Sequence, residues 1–251
     1  MDTTGSMSGW LKQAKAHVGK ISEAIAEELA KMKPGREVKV NVGFVSQKDF
    51  DKSNKPDTGH LDFEALTDDG PCLLATINAV EASGGGDTCE DVHGALKLAS
   101  SMRMAWSRSN KIIIHFLDAP PHGKSYHDLG ASSDYHYDTT DDKLTETLRH
   151  MARERIHYTM VKCVTEGAHT LDKFAKVCER VYSENAAAQS GQAGIIPKFT
   201  PLNITTTEHR QFFELVIASS MRSMNPAMPS KTFDQCNTAA LERLASIPED
   251  P

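Results

Sequence analysis

The residues of this chain best suited to chemistry stand at its start. Asp2-Thr3-Thr4-Gly5-Ser6-Met7-Ser8 sets a carboxylate and then, at alternating positions, the hydroxyls of Thr4 and Ser6. Oxygens grouped in this way suit a hard dication that prefers octahedral oxygen ligation, Mg²⁺ or Mn²⁺. The same residue types also cap helices, because a Ser or Thr ahead of an amphipathic run can accept from the free N–H groups of the first turn. On these residues alone both readings stand. Two further acidic loops, residues 87–91 and the stretch from Asp118 onward, supply more carboxylates where one element gives way to the next.

Other reactive side chains are weighed in the same way. His122, His127 and Asp128 lie close enough to hold Zn²⁺, but they form no helical His-Glu-x-x-His and have no cysteine pair beside them. The surrounding residues 126–138, with Tyr135, His136 and Tyr137, read as a loop that covers the metal face and helps choose partners, or as a solvated insertion. His115 lies inside an apolar run and reads as a core histidine with its ring nitrogens satisfied. Cys89 adjoins the second acidic loop, where a nearby cation would activate its thiol and plain burial would silence it. No complete phosphate loop ending in Gly-Lys-Ser/Thr and no Gly-x-Ser-x-Gly turn occurs, and no Lys follows Gly84-Gly85-Gly86-Asp87 at the needed position. ATP hydrolysis and kinase chemistry are therefore not expected of this chain, and a metal-dependent hydrolase using the acidic rim is the weakest functional reading.

The elements that must position these groups follow from hydrophobic periodicity. Trp10, Ala14, Val18, Ile21, Ile25, Leu29 and Met32 recur about once per helical turn, and Pro34-Gly35 ends the helix they predict. Val38, Val40, Val42 and Phe44 alternate as a strand does, and residues 60–66 suit a short edge strand with Leu61 and Phe63 on one face. Helices are expected around Leu73 to Val80, Val92 to Ala99, Leu144 to Met151 and Leu171 to Tyr182. The apolar runs 112–117 and 156–164 suit parallel strands covered on both faces, and the first of them stops at Asp118. This alternation predicts a doubly wound, mostly parallel α/β sheet with helices on both faces, residues 60–66 forming an antiparallel edge. Ligands in such sheets sit at the carboxyl ends of the strands, where all three acidic loops fall.

Length and composition fit that design. With 251 residues the chain has room for one α/β domain and a tail. The expected division is a domain over residues 1–186, a small-residue linker over 187–194, and a helical extension over 195–251 that contains Phe212, Phe213, Val216, Ile217 and Met221. Pro197 and Pro201 speak against a strand after the linker. A net charge of -6 gives no support to nucleic-acid binding. There is no apolar run long enough to span a membrane and no basic-then-apolar leader, and the five cysteines fall in no short pairs. A cytoplasmic location is the expectation.

The segment from Asp2 to Ser6 resembles the metal-ion-dependent adhesion site of von Willebrand factor A domains, whose first loop is Asp-x-Ser/Thr-x-Ser. Gly84-Gly85-Gly86-Asp87 resembles that family's second loop, and Leu117-Asp118-Ala119-Pro120-Pro121-His122-Gly123 its third; the wording of the loops is similar to domains found beside alpha-type protein kinases. The resemblance implies that Thr4 and Ser6 ligate Mg²⁺ directly and that Asp2 and Asp118 act at least partly through water. Asp87, with Thr88 as the alternative, would serve from the second loop. It also implies a binding module, with a coordination position left for an Asp or Glu of a protein partner, or a regulatory or scaffolding segment of an alpha-kinase-like protein. One departure stands out: the family's first central strand precedes the site, and here only Met1 does, so a truncated strand and a frayed Asp2 are expected.

Overall fold

A computed structural model describes residues 1–32, 39–49, 61–84, 86–106, 110–138, 142–163, 171–189 and 196–204. The first amphipathic run forms helix α1 (Ser8–Met32), entered through a 3-10 turn at Gly5–Met7. Strands β1 (Val42–Val45) and β2 (Phe63–Thr67) pair antiparallel, and α2 (Gly70–Ala79) follows with Asp69 accepting from the Cys72 N–H at its start. Then come α3 (Val92–Ala99), β3 (Lys111–Leu117), α4 (Lys143–Arg153), β4 (Ile156–Cys163), α5 (Asp172–Ala188) and β5 (Phe199–Ile204). The order β3-β4-β5 makes a parallel three-stranded sheet.

Side-chain alternation along β3 and β4 divides the core in two. Ile113, Leu117, Tyr158 and Met160 pack with Val92 and Leu96 of α3, Leu144, Leu148 and Met151 of α4, and Phe174 and Cys178 of α5. Phe116, Val161 and Cys163 instead pack with Trp10, Ala14, Ile25 and Leu29 of α1. Period-2 strands between helical stripes thus bury apolar surface on both sides, each full burial of a residue such as Leu148 being worth about 1.5–3 kcal/mol. A third cluster, Leu11, Phe44, Leu73, Ile77 and Val80, fastens α2 and β1 to α1.

Residues 1–3 join the two sheets. The Asp2 N–H donates to the Phe116 carbonyl at 2.8 Å, the Thr3 N–H to the Gln47 carbonyl at 2.8 Å, and the Gln47 N–H to the Met1 carbonyl at 2.8 Å. The terminal amine donates to the Val45 carbonyl at 2.7 Å, and its burial lowers its pKa to about 6. Asp2 and Thr3 are fully buried, so the fraying expected of Asp2 does not occur: backbone partners on both sides hold it.

Several expected boundaries move. The alternating strand begins at Val42, not Val38, and the edge strand at Phe63; residues 33–38, 50–60 and 205–251, the last including the helix expected around Phe212, lie outside the described residues. Helix α5 runs to Ala188, past the expected start of the linker, because Ala186, Ala187 and Ala188 are good helix formers. Where a strand was not expected, β5 forms across Pro201 and pairs with β4 in parallel. The exposed Pro201 is tolerated on an edge strand, where a missing N–H need face no neighbour.

Candidate metal centre

Because β3 ends at the fully buried Leu117, Asp118 emerges at the carboxyl end of that strand. Residues 1–3 run beside it, and the pKa of Asp2 is raised first by burial and further by the Asp118 carboxylate. Asp2 Oδ1 accepts from the Thr4 N–H at 2.9 Å and from the Thr4 hydroxyl at 2.8 Å, and the Thr4 and Ser6 hydroxyl oxygens stand 3.4 Å apart. Thr4 occupies the cap position of the first helical turn yet makes no side-chain capping bond, so its hydroxyl is turned to Asp2. This decides locally against a simple N-cap.

A residue not singled out from the sequence lies near this group. Glu90 is 4% exposed, and its carboxylate is close enough to feel Asp2, Asp49 and Asp118. It is brought there by its own backbone, whose N–H donates to the Pro120 carbonyl at 3.0 Å in a parallel bridge between Glu90 and Pro121. The acidic run of residues 87–91 pointed to this loop, but its sequence does not say which carboxylate turns inward.

Burial first, and neighbouring carboxylates second, push Glu90 up to about 10; burial likewise lifts Asp2 to about 7 against the Thr4 N–H, which favours its charge. Among the described residues, Asp2 Oδ2 and Glu90 Oε2 are buried with no hydrogen-bond partner. Buried carboxylates are normally paired, neutralised or ligated to a metal. Here the donors are all oxygen: three carboxylates (Asp2, Glu90, Asp118) and two hydroxyls (Thr4, Ser6). That set fits Mg²⁺ or Mn²⁺ and lacks the nitrogen or sulfur a softer ion would select.

Asp87 and Thr88 tie to the loop after β3. Asp87 accepts from the Cys89 N–H at 3.0 Å and the Tyr135 N–H at 2.6 Å, and the Thr88 N–H donates to the Ser133 carbonyl at 3.2 Å. Asp128, considered for zinc, is exposed and salt-bridged to Lys173 at 2.9 Å, whereas Asp134, overlooked, is 1% exposed and accepts from His122 and His127. Burial disfavours the charged form of His122, but hydrogen bonds to Asp134 and Asp49 overcome this and raise its pKa to about 9. Burial disfavours charge on Asp134 too, yet those histidines and two backbone N–H groups hold its carboxyl well below the usual range. Cys89 is inert rather than activated, since burial and the carboxylates around it push its thiol far up. His115 is the satisfied core histidine expected: Nε2 donates to Gln47 Oε1 at 2.6 Å, Nδ1 accepts from the Tyr158 hydroxyl at 3.0 Å, and burial keeps it neutral.

No family model matches the chain. A stretch of 153 residues is 33% identical to alpha-protein kinase vwkA of Dictyostelium discoideum. The match covers 59% of this chain and 22% of that protein, so it spans about a fifth of the curated relative. Two crystal structures of the pilus adhesin SpaC from Lactobacillus rhamnosus GG share the fold. One form gives a TM-score of 0.54 at 13% identity, covering 90% of this chain and 30% of the adhesin. The open conformation gives 0.50 at 12%, covering 86% and 29%. At such identity the likeness concerns the fold alone. Among the described residues, no helix is long and apolar enough to cross a membrane.

Proposed function

We propose that this chain is a von Willebrand factor A-type module that binds Mg²⁺, or Mn²⁺, through Asp2, Thr4, Ser6, Glu90 and Asp118 and captures an Asp or Glu of a protein partner. The observation that carries the reading is the pair of buried carboxylate oxygens Asp2 Oδ2 and Glu90 Oε2, each without a hydrogen-bond partner, with Asp118 near enough to act on both groups. The hydrogen bonds of residues 1–3 to Gln47 and Phe116 support a single doubly wound sheet in the order β2-β1-residues 1–3-β3-β4-β5. In that frame Asp2 and Asp118 leave adjacent strand ends, the usual position for a ligand. The bound ion would supply a coordination position to the partner's carboxylate. Thr4 and Ser6 would hold it through their hydroxyl oxygens, and Asp2 is fixed by the two bonds from Thr4.

The module is read as non-catalytic and cytoplasmic; the four described cysteines are free thiols, which suits a reducing compartment. The similarity to an alpha-protein kinase favours a second reading compatible with the first, in which the module is a regulatory or scaffolding segment attached to a kinase.

The test is a selection of displayed random peptides on the immobilised chain in Mg²⁺, eluted with EDTA. Recovered sequences are expected to share an Asp or Glu at one position, and Thr4→Ala or Asp118→Ala protein should recover none of them. Peptides retained in EDTA, or lacking a common acidic residue, would count against metal-bridged capture. Turnover of ATP by the purified chain, lost on Asp118→Ala, would overturn the non-catalytic reading.

A further inference from the structure

A second group of ligand-type side chains lies where the loop of residues 120–138 meets the two other rim loops. At its centre the buried Asp134 accepts four hydrogen bonds: from His122 Nδ1 at 2.8 Å and the His136 N–H at 2.7 Å on Oδ1, and from the Gly123 N–H at 2.7 Å and His127 Nε2 at 2.9 Å on Oδ2. A carboxylate held by that many donors cannot swing, and so it fixes the plane of the His122 ring. The other ring nitrogen, Nε2, is thereby aimed at Asp49 Oδ1, 2.8 Å away. Ligand atoms of Asp49, Asp87 and His122 all lie within 4.8 Å of one another.

We propose that Asp49, Asp87 and His122 form a second cation site, distinct from the all-oxygen group at Asp2, that takes a borderline dication such as Zn²⁺ and is oriented by Asp134. Metal-binding histidines almost always donate their other ring N–H to a carboxylate or carbonyl, which sets the tautomer and the ring orientation. His122 already has that partner in Asp134. Backbone donors hold the two carboxylate ligands as well: Asp49 Oδ2 accepts from the Gly86 N–H at 3.1 Å, and Asp87 from the Cys89 and Tyr135 N–H groups. A carboxylate offers about four lone-pair sites, so backbone bonds of this kind orient it without excluding ligation. On binding, the ion takes the place of the Nε2 proton of His122, which leaves to solvent, and replaces the His122–Asp49 hydrogen bond. The imidazole is what separates the two sites chemically, because mixed nitrogen and oxygen donors suit Zn²⁺ where oxygens alone suit Mg²⁺.

The adjoining Cys89, His127 and Asp134 also bring ligand atoms within 4.8 Å of one another, but they serve as the frame. His127 accepts from the Leu129 N–H at 3.1 Å through Nδ1 and spends Nε2 on Asp134, so it offers a metal no nitrogen in this arrangement.

The experiment titrates Zn²⁺ into the full chain in excess Mg²⁺, by competition with a chromophoric chelator. One equivalent is expected to bind, weakened at least tenfold by His122→Ala and by Asp87→Asn, and about 10–100-fold by Asp134→Asn, the range usual for a carboxylate behind a metal-bound histidine. Since a variant that unfolds would mimic that loss, ¹¹³Cd NMR of the unmutated protein reads the donor set directly, with a shift characteristic of nitrogen and oxygen ligands expected. No Zn²⁺ bound in Mg²⁺, binding indifferent to His122→Ala in folded protein, or a ¹¹³Cd shift in the sulfur range, which would move the ion to Cys89, overturns the site. The thermal response to Mg²⁺ is read in parallel. Zn²⁺ bound with no response to Mg²⁺ faults the function proposed above and leaves this site standing, and the reverse pattern does the opposite.

Discussion

Glu90 and Asp2 carry opposite lessons about what a sequence reveals. Asp2, Thr4 and Ser6 are legible as candidates because their spacing lies within one turn of chain, and Asp118 because it ends an apolar strand. Glu90 is not, since it reaches the site through a backbone pairing with the loop at Pro120 and Pro121, a tertiary event that local pattern does not encode. Its pKa, lifted by burial to about 10, makes it neutral at pH 7 without metal, so Glu90→Gln should leave metal-free stability within about 1 kcal/mol of the original while weakening Mg²⁺ binding roughly tenfold. Urea unfolding in EDTA and Mg²⁺ titration measure the two halves, and a large loss in EDTA would mean that the carboxylate is charged there. Asp2 gives a pH signature. Its folded pKa is raised to about 7 from 3.8, so its contribution is fully present below pH 3.8 and is lost as pH rises through about 7. In EDTA the melting temperature should therefore fall between pH 5 and about 8 in the original protein and fall less in Asp2→Asn, while the gain from Mg²⁺ should grow with pH because binding displaces the same proton. A Mg²⁺ gain independent of pH, or equal in Asp2→Ala, would contradict the assignment.

At the scale of elements, periodicity locates the helices and buried strands of the described residues, and it fails where composition is read as a substitute for propensity. The small residues 187–194 look like a linker, yet alanines extend α5 to Ala188; Pro201 looks like a strand breaker, yet the edge position of β5 leaves its missing donor harmless. His157 on β4 supplies a test of how tightly that strand is buried. It is 2% exposed and accepts from the Lys198 N–H at 3.3 Å, and burial, with a smaller effect of Lys198, lowers its pKa from 6.5 to about 4. A depressed histidine contributes stability that is present above pH 6.5 and is lost as pH falls toward 4, on the order of 3 kcal/mol for a shift of this size. Urea midpoints at pH 7.5 and 4.5 should therefore differ less in His157→Gln than in the unaltered chain; equal differences would mean that the ring is already charged or solvated. Helix α3 offers a second check. Asp91 accepts from the Gly94 N–H at 2.7 Å, and a Cβ on Gly94 would come within 2.1 Å of the Asp91 carboxylate. Gly94→Ala should displace that cap and cost about 1 kcal/mol despite alanine's better helix propensity, whereas a gain in stability would show that the cap adjusts.

For the whole molecule, the order of elements could be read along the chain, but which strands become neighbours could not, because three residues carry the connection. Residues 1–3 donate hydrogen bonds to Val45 and Gln47 on one flank and to Phe116 on the other, and receive one from Gln47. Without them the β1–β2 pair and the β3–β4–β5 sheet would lose their backbone link and keep helix packing and the His115–Gln47 hydrogen bond, and Asp2 would have no fixed place beside Asp118. Thr3 is the most incisive point to test this, since both its N–H and its hydroxyl donate to the Gln47 carbonyl at 2.8 Å. Thr3→Val removes the hydroxyl alone and should cost about 1 kcal/mol with the Mg²⁺ response retained. Thr3→Pro removes both donors from a buried acceptor and should cost roughly 1–3 kcal/mol. Beyond that loss, in a Trp106→Phe background it should separate unfolding followed by Trp10 fluorescence, which then reports α1, from unfolding followed by circular dichroism, and should abolish stabilisation by Mg²⁺. A proline variant that still unfolds in one coincident transition and responds fully to Mg²⁺ would mean that α1 and its apolar contacts hold the two sheets in register, and that the short central segment follows the fold instead of organising it.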